Sequence, residues 1–405
     1  MTLLRACVVG IVVSFSVATA AAPAVPESPD SYIAHAMAFE GIPGLQAVAV
    51  KNGKVAWAKS YGDAVLEQPG PRRAMQNDSV LTTASLSKIL VTFAVLQQME
   101  QGKLKLDDDI GDSVPFRVRN PKWPEVPITW RMLLTHTSSI DETDSQRALE
   151  TTFYGRDPPM TMDDYLRGTF TPGSRYYWSK IYRAGKPGTE RIYSDTAFVL
   201  LAMALQHIVQ EPFDQYIQHA ILDPLKMTHT GVWLKQIDPS KVAVGYTNFK
   251  DGPGHYRFAP NRVYWAHGTS GGKAIDHFLT CPDYPAGCYH STAMDFARLL
   301  VVLTGRGSAD GVRILAPSSV ELMMTPTGFR NRLGWEQGTN LFGLFDTRAR
   351  QVWGHDGEDY DVTNSFFFNP KTGVGAVIFT NSQDPDWTQV YAVDDLNFHL
   401  MSWFE

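Results

Sequence analysis

The chain has 405 residues, 44% of them hydrophobic and 19% charged, which excludes a disordered or low-complexity polypeptide and allows a large core. Its formal net charge is -6 and it has no basic cluster or stripe, so binding to nucleic acid or to an anionic membrane is not expected.

The N-terminus, MTLLRACVVGIVVSFSVATAAAP, places Arg5 before a short apolar run that ends in Ala18-Thr19-Ala20. That pattern predicts a secretory signal peptide over residues 1–20, cleaved near Ala20, since the run is too short for a comfortable membrane span. No later segment approaches spanning length, so the mature protein is expected to be secreted or periplasmic, with no membrane span. Residues 21–34 open with AAPAVPESPD and read as a Pro/Ala-rich tether.

LQAVAVKNGKVAWAKSYG alternates apolar residues around Asn52-Gly53, a dipeptide suited to a tight hairpin turn. After Ser85, KILVTFAVLQQMEQG is apolar on most faces and stops at Gly102, as a buried helix does. Helical patterns dominate residues 105–309, among them 195–210, 213–222 and 292–304, with turns rich in Pro and Gly between them. Strand patterns return near residue 350. NSFFFNP and VGAVIFTNS flank the turn Lys371-Thr372-Gly373, and TQVYAVDDLNFHLMSW reads as a closing amphipathic helix.

The fold class that follows is α+β: one antiparallel sheet formed from N- and C-terminal strands, flanked by helices, with a mostly helical region inserted. The domain is expected over residues 35–405, its α/β part at about 35–104 and 310–405 and its helical part at about 105–309.

Cleavage of the leader removes Cys7 and leaves Cys281 and Cys288. In an oxidising compartment two cysteines seven apart across a Pro-Gly loop favour a disulfide. His277, Cys281, Cys288 and His290 could instead be laid out as zinc ligands, and free thiols are a third possibility. The compartment weighs against the metal, and no cofactor is expected.

Chemistry enters at TASLSKIL, residues 83–90. A serine hydroxyl is a poor nucleophile until a base takes its proton. Ser85 and Lys88, three apart on a helix, share a face, so the amine can reach the hydroxyl. A serine at a helix start also sits beside unpaired backbone N–H groups that can hold an oxyanion.

SLSK in that setting is followed in order by LLTHTSSI (133–140), IYSD (192–195), PAGCYHSTAMDFARLL (285–300) and GHDG (354–357). The set resembles the penicillin-recognising serine hydrolases, and within them the class C β-lactamase, DD-peptidase and related esterase group. The resemblance implies a β-lactamase/transpeptidase-like fold and an acyl-enzyme mechanism. It makes Ser85 the acylated nucleophile, Lys88 the neighbouring base and Tyr193 the proton relay.

The third motif of these enzymes, Lys-Thr-Gly or His-x-Gly, lies on a strand facing the nucleophile. Lys371-Thr372-Gly373 spells the first version but follows Pro370 in a tight turn, so His355-Asp356-Gly357 is the better candidate. The backbone N–H of Glu358, after Gly357, would then pair with that of Ser85 as the oxyanion hole.

Two positions depart from the pattern. Asp195 stands where an asparagine is usual, and Ser139 where a glycine is common. A carboxylate cannot donate to a substrate carbonyl as an amide does, and beside Lys88 it would hold the ammonium charged. Residues 150–183 are dense in rings, through ordinary packing or as an acyl-binding wall in which Tyr177 and Trp178 would bind substrate.

The expected activity is an exported serine hydrolase for esters or D-residue-containing peptides and amides. A true class C-type β-lactamase is the alternative within the class, and a catalytically silent penicillin-binding-like protein the alternative outside it. The expected partner is a small ester, peptide or β-lactam-like substrate.

Overall fold

A computed structural model describes residues 28–66, 71–141, 151–174, 176–178, 180–252, 255–260, 278–325, 331–332, 335–337, 352–359 and 361–405. The predicted signal peptide, residues 21–27 of the tether and His277 lie outside the described residues.

Helix α1 (Pro29–Glu40) begins inside the stretch read as a tether, and this corrects that boundary. Ser28 caps it, its hydroxyl accepting from the Ser31 N–H at 3.2 Å, and Pro29 fills a first-turn position that needs no N–H. Strands β1 (Gly44–Lys51) and β2 (Lys54–Val65) make the hairpin. Asn52 and Gly53 turn it with φ of 49° and 73°, a backbone that suits these two residue types. Strand β3 (Arg73–Ala74) follows, then a single 3-10 turn (Ala84–Leu86) and helix α2 (Ser87–Glu100).

Further along lie α3 (Asp195–Val209), β4 (Tyr246–Gly252), β5 (His255–Pro260), α4 (Tyr284–Gly287) and α5 (Ala293–Thr304). The chain ends with β6 (Asn331–Arg332), β7 (Trp335–Gln337), β8 (Trp353–Asp359), β9 (Val362–Asn369), β10 (Val374–Thr380), β11 (Ser382–Gln383) and α6 (Gln389–Ser402).

Eight of these strands form one sheet in the order β6-β7-β8-β9-β10-β1-β2-β3. Its centre joins the two ends of the chain, because β1 pairs antiparallel with β10 and sets Val48 opposite Val377. Strand β1 is buried almost throughout, and its side chains alternate between two cores. Val48 and Val50 enter the main core, whereas Ala47 and Ala49 enter a second core with α1 and α6 residues. A strand covered on both faces reads as a near-continuous apolar run, as GLQAVAV does apart from Gln46, whose buried amide donates to the Gln76 and Ser79 carbonyls. Helix α5 packs on β1 and β10, and α6 on β9 and β10.

The inserted region is not purely helical. Strands β4 and β5 form a hairpin, and β11 runs parallel beside β4 to complete a three-stranded sheet. YTNFKDG is too polar for its strand character to register as alternation. Among the described residues no helix is long and apolar enough to cross a membrane.

Candidate active site

The site is organised by the 3-10 turn. Ala84, just before Ser85, has a φ of 48°, a left-handed backbone that is costly for a residue with a Cβ. Hydrogen bonds hold the strain in place. The Thr83 N–H donates to the Tyr289 carbonyl at 2.8 Å, and the Tyr289 N–H donates to Ser87 Oγ at 3.2 Å. Thr83 Oγ1 and Ser87 Oγ lie 2.8 Å apart. Ser87 is thereby buried and spent on structure, while Ser85 is partly exposed.

Lys88, one turn along, is fully buried. Three oxygens surround its Nζ: Ser85 Oγ at 3.0 Å, the Ala286 carbonyl of α4 at 2.7 Å and Asp195 Oδ1 at 2.5 Å. An ammonium has three N–H bonds, so each has an oxygen to face. Burial by itself favours the neutral amine, yet the Asp195 carboxylate, by its charge and its close contact, and the Tyr193 phenol beside it hold Lys88 above its ordinary range.

Ser194 caps α3, its hydroxyl accepting from the Ala197 N–H at 3.1 Å. That cap puts Tyr193 just outside the helix and Asp195 in the first turn, where the helix dipole favours a carboxylate. The Tyr193 phenol donates to Ser85 Oγ at 2.8 Å. Burial pushes this phenol above its ordinary range, so it carries its proton near neutral pH.

The Tyr193 ring rests on His136, with centroids 4.5 Å apart, and His136 Nδ1 accepts the Ser194 N–H at 3.1 Å. Burial, then the charge of Lys88, keeps His136 neutral. His136 lies within LLTHTSSI, yet nothing local marked it as the support of Tyr193. In the same motif Ser139 has a φ of 65°, which gives the physical reason a glycine would suit that position.

Strand β8 closes the site from the other side. A Cβ on Gly357 would stand 2.6 Å from the Thr83 carbonyl oxygen, so glycine permits this approach. Asn364, opposite Gly357 on β9, fastens it by donating from Nδ2 to the Thr82 carbonyl at 2.9 Å. Glu358 follows with its backbone on the same strand, and its carboxyl is pushed up to about 8 by burial and by the charges of Asp356 and Asp384.

His355 is buried, with its ring centroid 6.2 Å from that of Tyr193. Its Nδ1 bonds to the Asp356 carbonyl, which can only accept, so Nδ1 carries the hydrogen and Nε2 a lone pair. Burial, then the charge of Lys88, pulls His355 down to about 3 and leaves it neutral. Lys371 instead sits exposed in the turn between β9 and β10, its N–H donating to Asn369 Oδ1 at 3.0 Å.

The ring-rich stretch is less tied to Ser85. Trp178 is half-buried against the main core, and Tyr177 is half-buried near Tyr182. Cys281 and Cys288 are joined in a disulfide that brackets α4. His290 is buried and stacked on Phe278, with Nε2 2.6 Å from the Leu279 carbonyl. Among the described residues Cys281, Asp283 and Cys288 are one group close enough to hold a metal, but both sulfurs are consumed by their bond.

Comparison with known proteins agrees with this architecture. The family model described as Beta-lactamase matches residues 29–396. The chain is 28% identical over 217 residues to "Protein flp" of Staphylococcus aureus (strain MRSA252), covering 54% of this chain and 40% of that one. It is 25% identical over 343 residues to a "Putative D-alanyl-D-alanine carboxypeptidase" of Escherichia coli (strain K12), covering 80% of this chain and 75% of that one. Its fold is similar to the D-amino acid amidase of Ochrobactrum anthropi SV3 complexed with L-phenylalanine amide. That structure has a TM-score of 0.66 at 20% identity, covering 92% of this chain and 100% of that one.

Proposed function

The chain belongs to the Beta-lactamase family, and on that premise we propose that it is a serine hydrolase acylated on Ser85, acting on esters or on D-residue-containing peptides and amides. One observation carries the reading: Ser85 Oγ accepts hydrogen bonds from both Lys88 Nζ and Tyr193 Oη, at 3.0 and 2.8 Å. Two donors on one hydroxyl oxygen stabilise negative charge as it develops there.

In the proposed cycle the Lys88–Tyr193 pair first loses one proton, and the phenolate, held beside the Lys88 ammonium, is the base. Ser85 Oγ bonds to the acyl carbon as its proton passes to Tyr193. The oxyanion faces the backbone N–H groups of Ser85 and Glu358. Tyr193 returns the proton to the leaving group, and a water deacylates the enzyme by the same relay. His355 stays neutral throughout and offers its Nε2 lone pair beside the ring of Tyr193.

Asp195 argues against β-lactams as preferred substrates, because a carboxylate leaves an acylamino carbonyl without a donor. The disulfide and the N-terminal apolar run support export to an oxidising compartment. The deciding experiment is a panel of p-nitrophenyl esters, D-aminoacyl anilides and nitrocefin, with fluorophosphonate labelling of Ser85. Turnover of esters or anilides with Ser85 labelled is expected. Nitrocefin turnover above both would make the protein a β-lactamase, and absence of turnover and label a silent one.

A further inference from the structure

Resting on the reading of Ser85 as the acylated residue, we propose that the Cys281–Cys288 disulfide positions Lys88, so that the hydrolase reaches full activity only after this bond forms. Catalysis is thereby tied to oxidative maturation of the chain.

The segment beside Cys288 is the back plate of the nucleophile turn. The Ala286 carbonyl accepts from Lys88 Nζ at 2.7 Å. The Tyr289 carbonyl accepts from the Thr83 N–H at 2.8 Å and from Thr83 Oγ1 at 3.0 Å, and the Tyr289 N–H donates to Ser87 Oγ at 3.2 Å. Cys288 stands between these two anchors, two residues after Ala286 and one before Tyr289.

Strand pairing fixes the backbone on either side of the plate. Leu279–Thr280 pairs with Phe153–Tyr154, and His290–Ser291 pairs with Leu81–Thr82, just ahead of the Ser85 turn. The span between the two pairings carries α4, a helix of four residues. A single turn closes too few hydrogen bonds to be stable alone. Its bonds are local, from the Ala286 N–H to the Asp283 carbonyl at 2.9 Å and from the Cys288 N–H to the Tyr284 carbonyl at 3.1 Å. Ring contacts hold its first residue, Tyr284, 5.2 Å from Trp233 and 6.3 Å from Phe213 between centroids. Ala286 lies toward the other end, and there the disulfide supplies the constraint by joining Cys288 to Cys281.

The placement of Ala286 decides where Lys88 points. With its carbonyl in position, the ammonium keeps Ser85 Oγ at 3.0 Å against the pull of Asp195 Oδ1 at 2.5 Å. If that carbonyl drifts, the opposite charge of Asp195 draws the ammonium from the hydroxyl. A small displacement of a reacting group costs a large factor in rate.

Bond formation takes two electrons and two protons from the Cys281 and Cys288 thiols and passes them to a disulfide oxidant, which leaves as two thiols. Both cysteines are buried, so the bond, once made, is shielded from thiols in solution. In a thiol-rich compartment the bond does not form, and Lys88 stays misaligned.

The test unfolds the chain and refolds it either with glutathione and its disulfide or with excess dithiothreitol, counting thiols to confirm each state. Oxidised protein must first turn over p-nitrophenyl acetate and label on Ser85 with a fluorophosphonate; failure there would refute the serine reading, on which the proposal rests. Reduced protein, assayed well below its own Tm, should show kcat lower by about tenfold or more, with KM within about twofold. Labelling should slow in parallel, and reoxidation should restore both. The double variant Cys281→Ala/Cys288→Ala should match the reduced form and ignore dithiothreitol. A bond that only stabilises the fold would lower Tm and leave kcat of the folded protein unchanged, which would overturn the proposal. So would a loss confined to KM. Failure of both the reduced protein and the double variant to fold would overturn it too, since the whole fold and not Lys88 would then depend on the bond.

Discussion

Asp195 Oδ1 stands 2.5 Å from Lys88 Nζ, a carboxylate nearly half exposed set against an ammonium with no exposure at all. The contact determines which proton is available near neutral pH. Lys88 stays protonated because Asp195 raises its affinity, and Tyr193 stays protonated because it is buried. One of the two must lose a proton before either can act as a base.

Removing the Asp195 charge should therefore change the pH at which activity appears. Asp195→Asn lowers the proton affinity of Lys88, so the basic form of the pair is reached sooner. The alkaline rise of kcat/KM on a simple ester should shift down by about one pH unit. The ratio of nitrocefin to ester turnover should rise, since an amide can donate to a substrate carbonyl. A folded variant with the wild-type profile and ratio would make Asp195 a structural residue.

Ser85→Ala should abolish turnover and covalent labelling, whereas Ser87→Ala should retain the label with some loss of stability. The burial of Ser87 and its ties to Thr83 and Tyr289 set the two serines apart. An adduct on Ser85→Ala in intact-mass spectrometry would refute the assignment.

His355→Ala should lower kcat by about two orders of magnitude, the scale of a lost electrostatic or hydrogen-bonding group. Lys371→Ala should leave kcat close to wild type, because its turn lies away from Ser85. As His355 is already neutral, no inflection near pH 6.5 should belong to it. The opposite ranking of the two variants would move the third motif to Lys371-Thr372-Gly373.

Asp394 permits a stability test away from the chemistry. It is buried on α6, where Ser365 Oγ donates to its Oδ1 at 2.7 Å. Burial raises its carboxyl well above the ordinary range, and the charges of Asp356, Glu358 and Asp395 add to the effect. The folded state thus holds this proton more tightly than the unfolded chain does. Its cost to stability is absent below about pH 4 and grows as pH rises toward the folded value. Asp394→Asn keeps the acceptor for Ser365 and removes the charge. Its Tm should exceed wild type by about 1–3 °C more at pH 8 than at pH 5. A difference in Tm that does not change with pH would show that Asp394 is ionised at no cost.

Local features of this protein were legible from its residues alone. Ser85 and Lys88 meet because three residues on a helical turn bring side chains to one face, whatever surrounds them. Asn52-Gly53 turns back on itself for reasons contained in two residues, and the stretch after Ser85, apolar on most faces, reads as a buried helix. The pairing of β1 with β10, between residues 44–51 and 374–380, needed in addition the inference that strands at both ends must share one sheet.

What tertiary structure alone decided lies far apart in the chain. His136 supports Tyr193 through a ring contact, and the Ala286 carbonyl of a disulfide-bracketed helix accepts from Lys88 Nζ at 2.7 Å; no period or spacing encodes either meeting. Helix α1 begins in a stretch that reads as tether although Ser28 and Pro29 mark its start locally, and the β4–β5 hairpin escapes notice because YTNFKDG is too polar to show alternation. Packing supports His355 over Lys371 as the third-motif residue. Only a strand with glycine at 357 can lie 2.6 Å, Cβ position to carbonyl oxygen, from the turn that bears Ser85, and sequence distance does not measure that contact.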